Sequence, residues 1–263
     1  MQKHKNYDEE AQKKLFDELI SHNKLQISDK HEFYDKERDI SSIRQSVLMS
    51  HPIAGKLNFK LLKQIHSYLF QDIYFWAGKD RLECGLIGEM HKTGSPQEFC
   101  DSRQIGEVAD RLFYNLECNR YLQEFCHDQD LLCSNAAKFY GDLNYLHPFR
   151  EGNGRTGRCF LNEIFRRLGF FFNACNIDKN KWDSACISSY TDQKASDLAA
   201  LFKKEINVYP ENKTKFIKYR KQFASEDFIE TSPLDPIQFS DRAELLGNGG
   251  LGEKYSILKE LIG

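Results

Sequence analysis

His147, Glu151, Arg155 and Arg158 fall within one short stretch, HPFREGNGRTGR, and each brings a distinct chemistry. His147 is the only group there whose ordinary pKa lies near neutrality, so it can take a proton from an incoming hydroxyl. Glu151 sits just before a turn, and a carboxylate beside a polyphosphate suits a Mg²⁺ ligand. Gly152 and Gly154 free the backbone for a tight turn and for close approach to a ligand. From Arg155 onward the apolar residues recur on a helical face, so the loop opens a helix whose N–H groups and dipole attract anions. Arg155 and Arg158 are one turn apart and can reach the same anion, and guanidinium forks suit phosphate oxygens. Two arginines at that end oppose the dipole unless an anion offsets them. Singly, these would read as a turn histidine, a solvated glutamate and a surface arginine pair, with Phe149 as an inward core anchor. Their joint spacing points instead to phosphoryl or nucleotidyl transfer.

GNGRTG within this stretch also fits the G-x-G-x-x-G template of a dinucleotide site. That template needs a hydrophobic strand before its first glycine. The preceding KFYGDLNYLHPFRE has no such strand and looks like a helix ending near His147, since Pro148 disfavours helical geometry at the residue before it. Asp178 is at the right distance for a ribose carboxylate, but no strand leads to it. GNGGLG, Gly247 to Gly252, matches the template a second time without a strand. The dinucleotide reading is therefore set aside.

The elements that must position the loop are helical. Residues 8–21, 58–71, 101–118, 130–145, 155–169 and 192–206 each carry apolar residues at steps of three and four. Asp101 and Ser102 offer N-caps, and Gly169 offers a C-cap. Residues 80–97 are broken by glycines and a proline, which predicts a short hairpin or loop. No βαβ alternation occurs, so the expected class is mainly α.

The chain of 263 residues is long enough for one large domain with an appendage. Its net charge of −2 gives no basic excess for bulk binding to nucleic acid or anionic membrane. No apolar run reaches the length of a membrane span, and the N-terminus lacks the apolar core of a signal peptide. The eight cysteines form no C-x-x-C pair and no zinc-finger spacing, which fits free thiols in a reducing cytosol. Beyond residue 206 the texture changes. KTKFIKYRKQF is basic and reads as a solvated helix face in preference to a nucleic-acid contact.

The stretch from His147 to Arg158 resembles the signature of the Fic family, H-x-F-x-[D/E]-G-N-G-R-x-x-R. His147, Phe149, Glu151, Gly152, Asn153, Gly154, Arg155 and Arg158 satisfy its fixed positions. LLKQIHSYLFQDIYFWAGKDR, Leu61 to Arg81, is similar to the family's helix and tryptophan-glycine turn. ISSYTDQKASDLAALF, Ile187 to Phe202, is similar to its pocket-closing helices. The resemblance implies a Fic-type helical bundle with a small β-hairpin flap. It divides the chain into an N-terminal helical segment, 1–39, a catalytic core, 40–206, and a C-terminal extension of unknown role, 207–263.

It further implies AMPylation: AMP moves from ATP to a hydroxyl of a target protein, with ATP as substrate and Mg²⁺ as metal. His147 would be the base and Glu151 the metal ligand. Gly152, Asn153, Gly154, Arg155, Thr156 and Arg158 would bind the nucleotide and its phosphates, with Phe149 structural. Lys92, Thr93 and Gly94 are flap candidates, and Tyr190 is an adenine candidate. Alternatives are Fic-type transfer of phosphate, UMP or phosphocholine, and a nucleotide-dependent protein-binding module. Targets in the family include topoisomerases and host GTPases, so the chain is expected to be a toxin in the bacterial cytoplasm or an effector delivered into a host.

Many members carry an inhibitory helix, [S/T]-x-x-x-E-[G/N], whose Glu pairs with the second motif arginine. Ser28 to Glu32, Ser240 to Glu244 and Ser256 to Glu260 give S-x-x-x-E, but each is followed by Phe or Leu. ISSIRQS, Ile40 to Ser46, has no glutamate. The expectation is a separate small antitoxin supplying that helix, with Ser256 to Glu260 as the weaker candidate in cis.

Overall fold

The computed structural model describes residues 18, 22–91, 97–191 and 195–208. The helix expected at 8–21, apart from Glu18, lies outside them, as do the flap candidates Lys92, Thr93 and Gly94 and the chain beyond residue 208.

Seven α-helices carry the described fold: α1 (Lys30–Ser50), α2 (Phe59–Phe70), α3 (Ile105–Cys118), α4 (Gln129–Leu146), α5 (Asn153–Arg167), α6 (Lys179–Thr191) and α7 (Ser196–Glu205). Two small antiparallel pairs complete it. β1 (Met90–His91) pairs with β2 (Glu98–Phe99), and β3 (Phe170–Phe172) pairs with β4 (Ile206–Val208). β1 lies in the stretch 80–97 predicted as a hairpin or loop, and β2 begins just past its end. Of the helix expected at 192–206, the described residues form α7, Ser196–Glu205. Ahead of it stands α6, which the periodicity did not resolve.

Local chemistry starts and stops these helices. Asn58 caps α2, its side chain accepting from the Leu61 N–H at 3.0 Å. Asp128 caps α4 by accepting from the Asp130 and Leu131 N–H groups. The predicted α3 opens with a short 3₁₀ turn at Ser102–Gln104, capped by Asp101. Pro148 disfavours helical geometry at His147, which adopts a left-handed conformation with φ 39° and ends α4. Gly169, at φ 83°, follows the end of α5.

The core lies between α4 and α5, with α2, α3 and α7 packed around them. Leu61, Leu62, Ile65 and Leu69 of α2 are buried there with Phe160, Ile164 and Phe165 of α5. Each such side chain contributes about 1.5–3 kcal/mol by burial. Helix α1 packs against α2 and α5 and crosses the expected 39/40 division, and β4 crosses the one at 206/207.

Candidate active site

The loop between α4 and α5 carries the motif, and both of its ends are fixed by the backbone. At one end stands His147. Its Nδ1 lies 3.2 Å from the Asn144 carbonyl oxygen, an atom that can only accept. In the neutral ring Nδ1 therefore carries the proton and Nε2 is the basic nitrogen. The imidazole stacks on Phe99 of β2, with centroids 3.6 Å apart and planes 13° from parallel. At the other end stands Gly152, with φ 81°, as N-cap of α5. A Cβ there would lie 2.4 Å from the Phe70 ring, so only glycine fits.

No side chain caps α5, and its first intrahelical bond runs from Thr156 N to the Gly152 carbonyl. The amides of Asn153, Gly154 and Arg155 precede any helical acceptor and form a ready anion site.

Asn153 closes the loop on itself. Its Oδ1 accepts from Phe149 N at 2.8 Å, and its Nδ2 donates to the Phe149 carbonyl at 2.6 Å. Both ends of this amide are thus engaged with the backbone of one residue of the loop. Phe149 is buried as expected and stacks on His66 with centroids 3.9 Å apart. Thr156 departs from expectation. It is wholly buried on the face of α5 that carries Phe160, so it does not line the mouth of the loop.

Three residues that hold the loop were missed in the sequence. His66, fully buried in α2, accepts from Gly78 N at Nδ1 (2.8 Å), so Nε2–H donates to the Glu151 carbonyl at 3.0 Å. Burial pushes its pKa down to about 3, keeping the ring neutral. Arg81 donates from Nε to the His147 carbonyl (2.9 Å) and from its backbone N–H to Pro148 O (2.7 Å). Its guanidinium also donates to Gly88 O and Cys100 O, which tie the β1–β2 region to the loop. The third is Glu37 of α1, whose carboxylate is paired with Arg155. His66 and Arg81 lie in the Leu61–Arg81 stretch that is similar to the family's helix and turn; nothing in the sequence marks Glu37.

The charged side chains divide between mouth and interior. The Glu151 side chain is 43% exposed, and its Oε1 accepts from Gly152 N at 2.8 Å. Arg158 has no carboxylate partner among the described residues; its guanidinium lies 5.5 Å from the Trp182 ring centroid. Tyr190 is half-buried on α6. Among the described residues no helix is long and apolar enough to cross a membrane.

An α-helical bundle with a two-stranded pair over a histidine, and a glycine loop opening an uncapped helix, sets a basic side chain beside an anion-attracting helix end. Residues 56–165 match the Fic/DOC family, and the chain belongs to it. Protein adenylyltransferase VbhT of Bartonella schoenbuchensis is 32% identical over 195 residues, covering 74% of this chain and 38% of that protein. This chain thus spans well under half of VbhT. "Probable protein adenylyltransferase y4lH" of Sinorhizobium fredii is 32% identical over 148 residues, 56% of this chain and 70% of that one. Among solved structures, the N-terminal Fic domain of a VirB-translocated Bep effector of Bartonella quintana, with bound ADP, superposes with a TM-score of 0.67. It is 25% identical and covers 72% of this chain and 91% of that one.

Proposed function

We propose that this chain is a protein adenylyltransferase that moves AMP from ATP to a hydroxyl of a target protein. The observation that carries this is the pairing of a basic His147 Nε2 with an uncapped α5 N-terminus across one clamped loop. His147 takes the proton of the target hydroxyl. The hydroxyl oxygen bonds to the α-phosphorus, and the bond to the pyrophosphate oxygen breaks, so pyrophosphate leaves with the electron pair. The amides at the start of α5 hold the phosphate oxygens as charge builds on them. Arg158, unpaired with any described carboxylate, grips the outer phosphates. Tyr190 is the adenine contact.

Glu151 fits Mg²⁺, since it offers a hard, partly exposed oxygen donor beside the phosphate site. The metal, when bound there, would neutralise phosphate charge. The similarity to protein adenylyltransferases supports AMP transfer over phosphate, UMP or phosphocholine transfer and over a binding module without turnover, and the ADP-bound neighbour supports a nucleotide substrate.

Similarity to a VirB-translocated effector supports delivery into a host cell, and a bacterial toxin is the second reading. In the toxin reading, a small antitoxin inserts a glutamate at Arg158.

The test is label transfer to proteins in a lysate. Label from α-labelled ATP is expected with the wild-type chain and is lost on His147→Ala. Equal labelling by both proteins would remove His147 from the mechanism, and label from γ-labelled ATP alone would make the reaction a kinase's.

A further inference from the structure

We propose that Glu37, on a helix outside the matched family region, is a positioning residue that acts through Arg155 on the metal ligand Glu151. The inference rests on the site being one for a magnesium nucleotide. Arg155 was expected to grip phosphate, but its guanidinium is engaged within the fold. Nη1 donates to Glu37 Oε2 and to Ser41 Oγ, both at 2.7 Å. Nη2 donates to Glu37 Oε1 at 2.6 Å and to Glu151 Oε1 at 3.3 Å. Four of the five guanidinium N–H donors thus face protein atoms. The guanidinium carbon lies 4.8 Å from the Phe70 ring centroid.

Glu37 is 3% exposed and also accepts from the Tyr74 hydroxyl at 3.3 Å. A buried carboxylate persists only when paired, and a two-point fork to arginine is the strongest such pairing. The arginine charge at the start of α5 is therefore offset from inside the chain rather than by substrate. What remains is a chain of contacts, Glu37 to Arg155 to Glu151. It runs from the buried face of α1 to the carboxylate at the mouth of the loop. Ser41 holds the same guanidinium from the next turn of α1. Arg158 is then the motif arginine left for phosphate.

A displaced Arg155 would leave the Glu151 carboxylate held by the Gly152 N–H without its guanidinium partner, weakening metal-dependent nucleotide binding while leaving metal-free binding intact. The experiment is calorimetric binding of AMPPNP to the full chain, with and without Mg²⁺. In Glu37→Gln the tightening produced by Mg²⁺ should shrink about tenfold, and Mg²⁺-free affinity should hold within about twofold. Glu37→Asp, which keeps the charge, should recover part of the loss. Arg158→Ala should weaken binding with and without Mg²⁺.

Should Glu37→Gln not fold, Ser41→Ala removes one contact to the same guanidinium and should move the Mg²⁺ increment about threefold in the same direction. An unchanged increment in the folded variants overturns the proposal, as does tighter binding in both conditions, which would make Glu37 a competitor for Arg155. Absence of any AMPPNP binding by the wild-type chain would overturn the reading of the site itself, and the inference with it.

Discussion

His147 and Gly152 mark the two ends of the loop, and each has a separable effect. Loss of the base in His147→Ala should reduce AMP transfer about 10²–10⁴-fold with little change in KM for ATP, since in the proposed reaction the imidazole acts on the hydroxyl and not on the nucleotide. Steady-state kinetics on a labelled target would measure the split; a large rise in KM alone would contradict it. Gly152→Ala places a methyl 2.4 Å from the Phe70 ring at a φ of 81°. The loop or the ring must shift, so the expected outcome is a stability loss of about 1–3 kcal/mol together with near-complete loss of transfer. Urea unfolding and the labelling assay read the two effects apart.

Helix α2 and the tryptophan-glycine turn act on the loop through His66. Its neutral ring accepts from Gly78 N and donates to the Glu151 carbonyl. Protonation would set an N–H against the Gly78 N–H. The folded pKa, about 3, lies below the ordinary 6.5, so the unfolded chain binds more protons between those values. The stabilisation is fully present above about pH 6.5 and is lost as pH falls toward 3. Urea midpoints between pH 7 and pH 4 should therefore fall with acid, and His66→Gln should flatten that slope. An equal slope in the variant would assign the acid sensitivity to other groups. Arg81 plays the parallel part for the flap, linking Cys100 and Gly88 to His147.

Across the whole molecule, α1, α2, α4 and α5 meet at one loop, so a ligand bound there should stabilise the entire bundle. Binding to the folded state alone adds RT ln(1 + [L]/Kd), about 2.7 kcal/mol at one hundred times Kd. ATP with Mg²⁺ should raise Tm by several degrees, and Arg158→Ala should abolish most of that rise at the same nucleotide concentration. A full shift in the variant would place the outer phosphates elsewhere.

The sequence by itself determined the helical class, most of the helices and the motif. α2, α3, α4 and α5 announced themselves because their buried faces carry apolar residues at steps of three and four; Asp101 caps the turn that opens α3 and Gly169 follows α5 as expected, whereas the Asn58 and Asp128 caps were not foreseen. The chemistry of the loop was legible because its residues lie within one short segment. Helix α1 was not legible as a core element. Its buried face is Phe33, Glu37, Ile40, Ser41, Arg44 and Leu48, half of it polar, so apolar periodicity could not reveal it. The burial of Thr156 and the engagement of Arg155 were likewise hidden, because motif spacing says which residues are near and not which way each turns. Only the tertiary structure decided that a carboxylate 118 positions before Arg155 would take up its guanidinium. That pairing depends on α1 packing against α5, a contact between distant segments that local pattern does not encode.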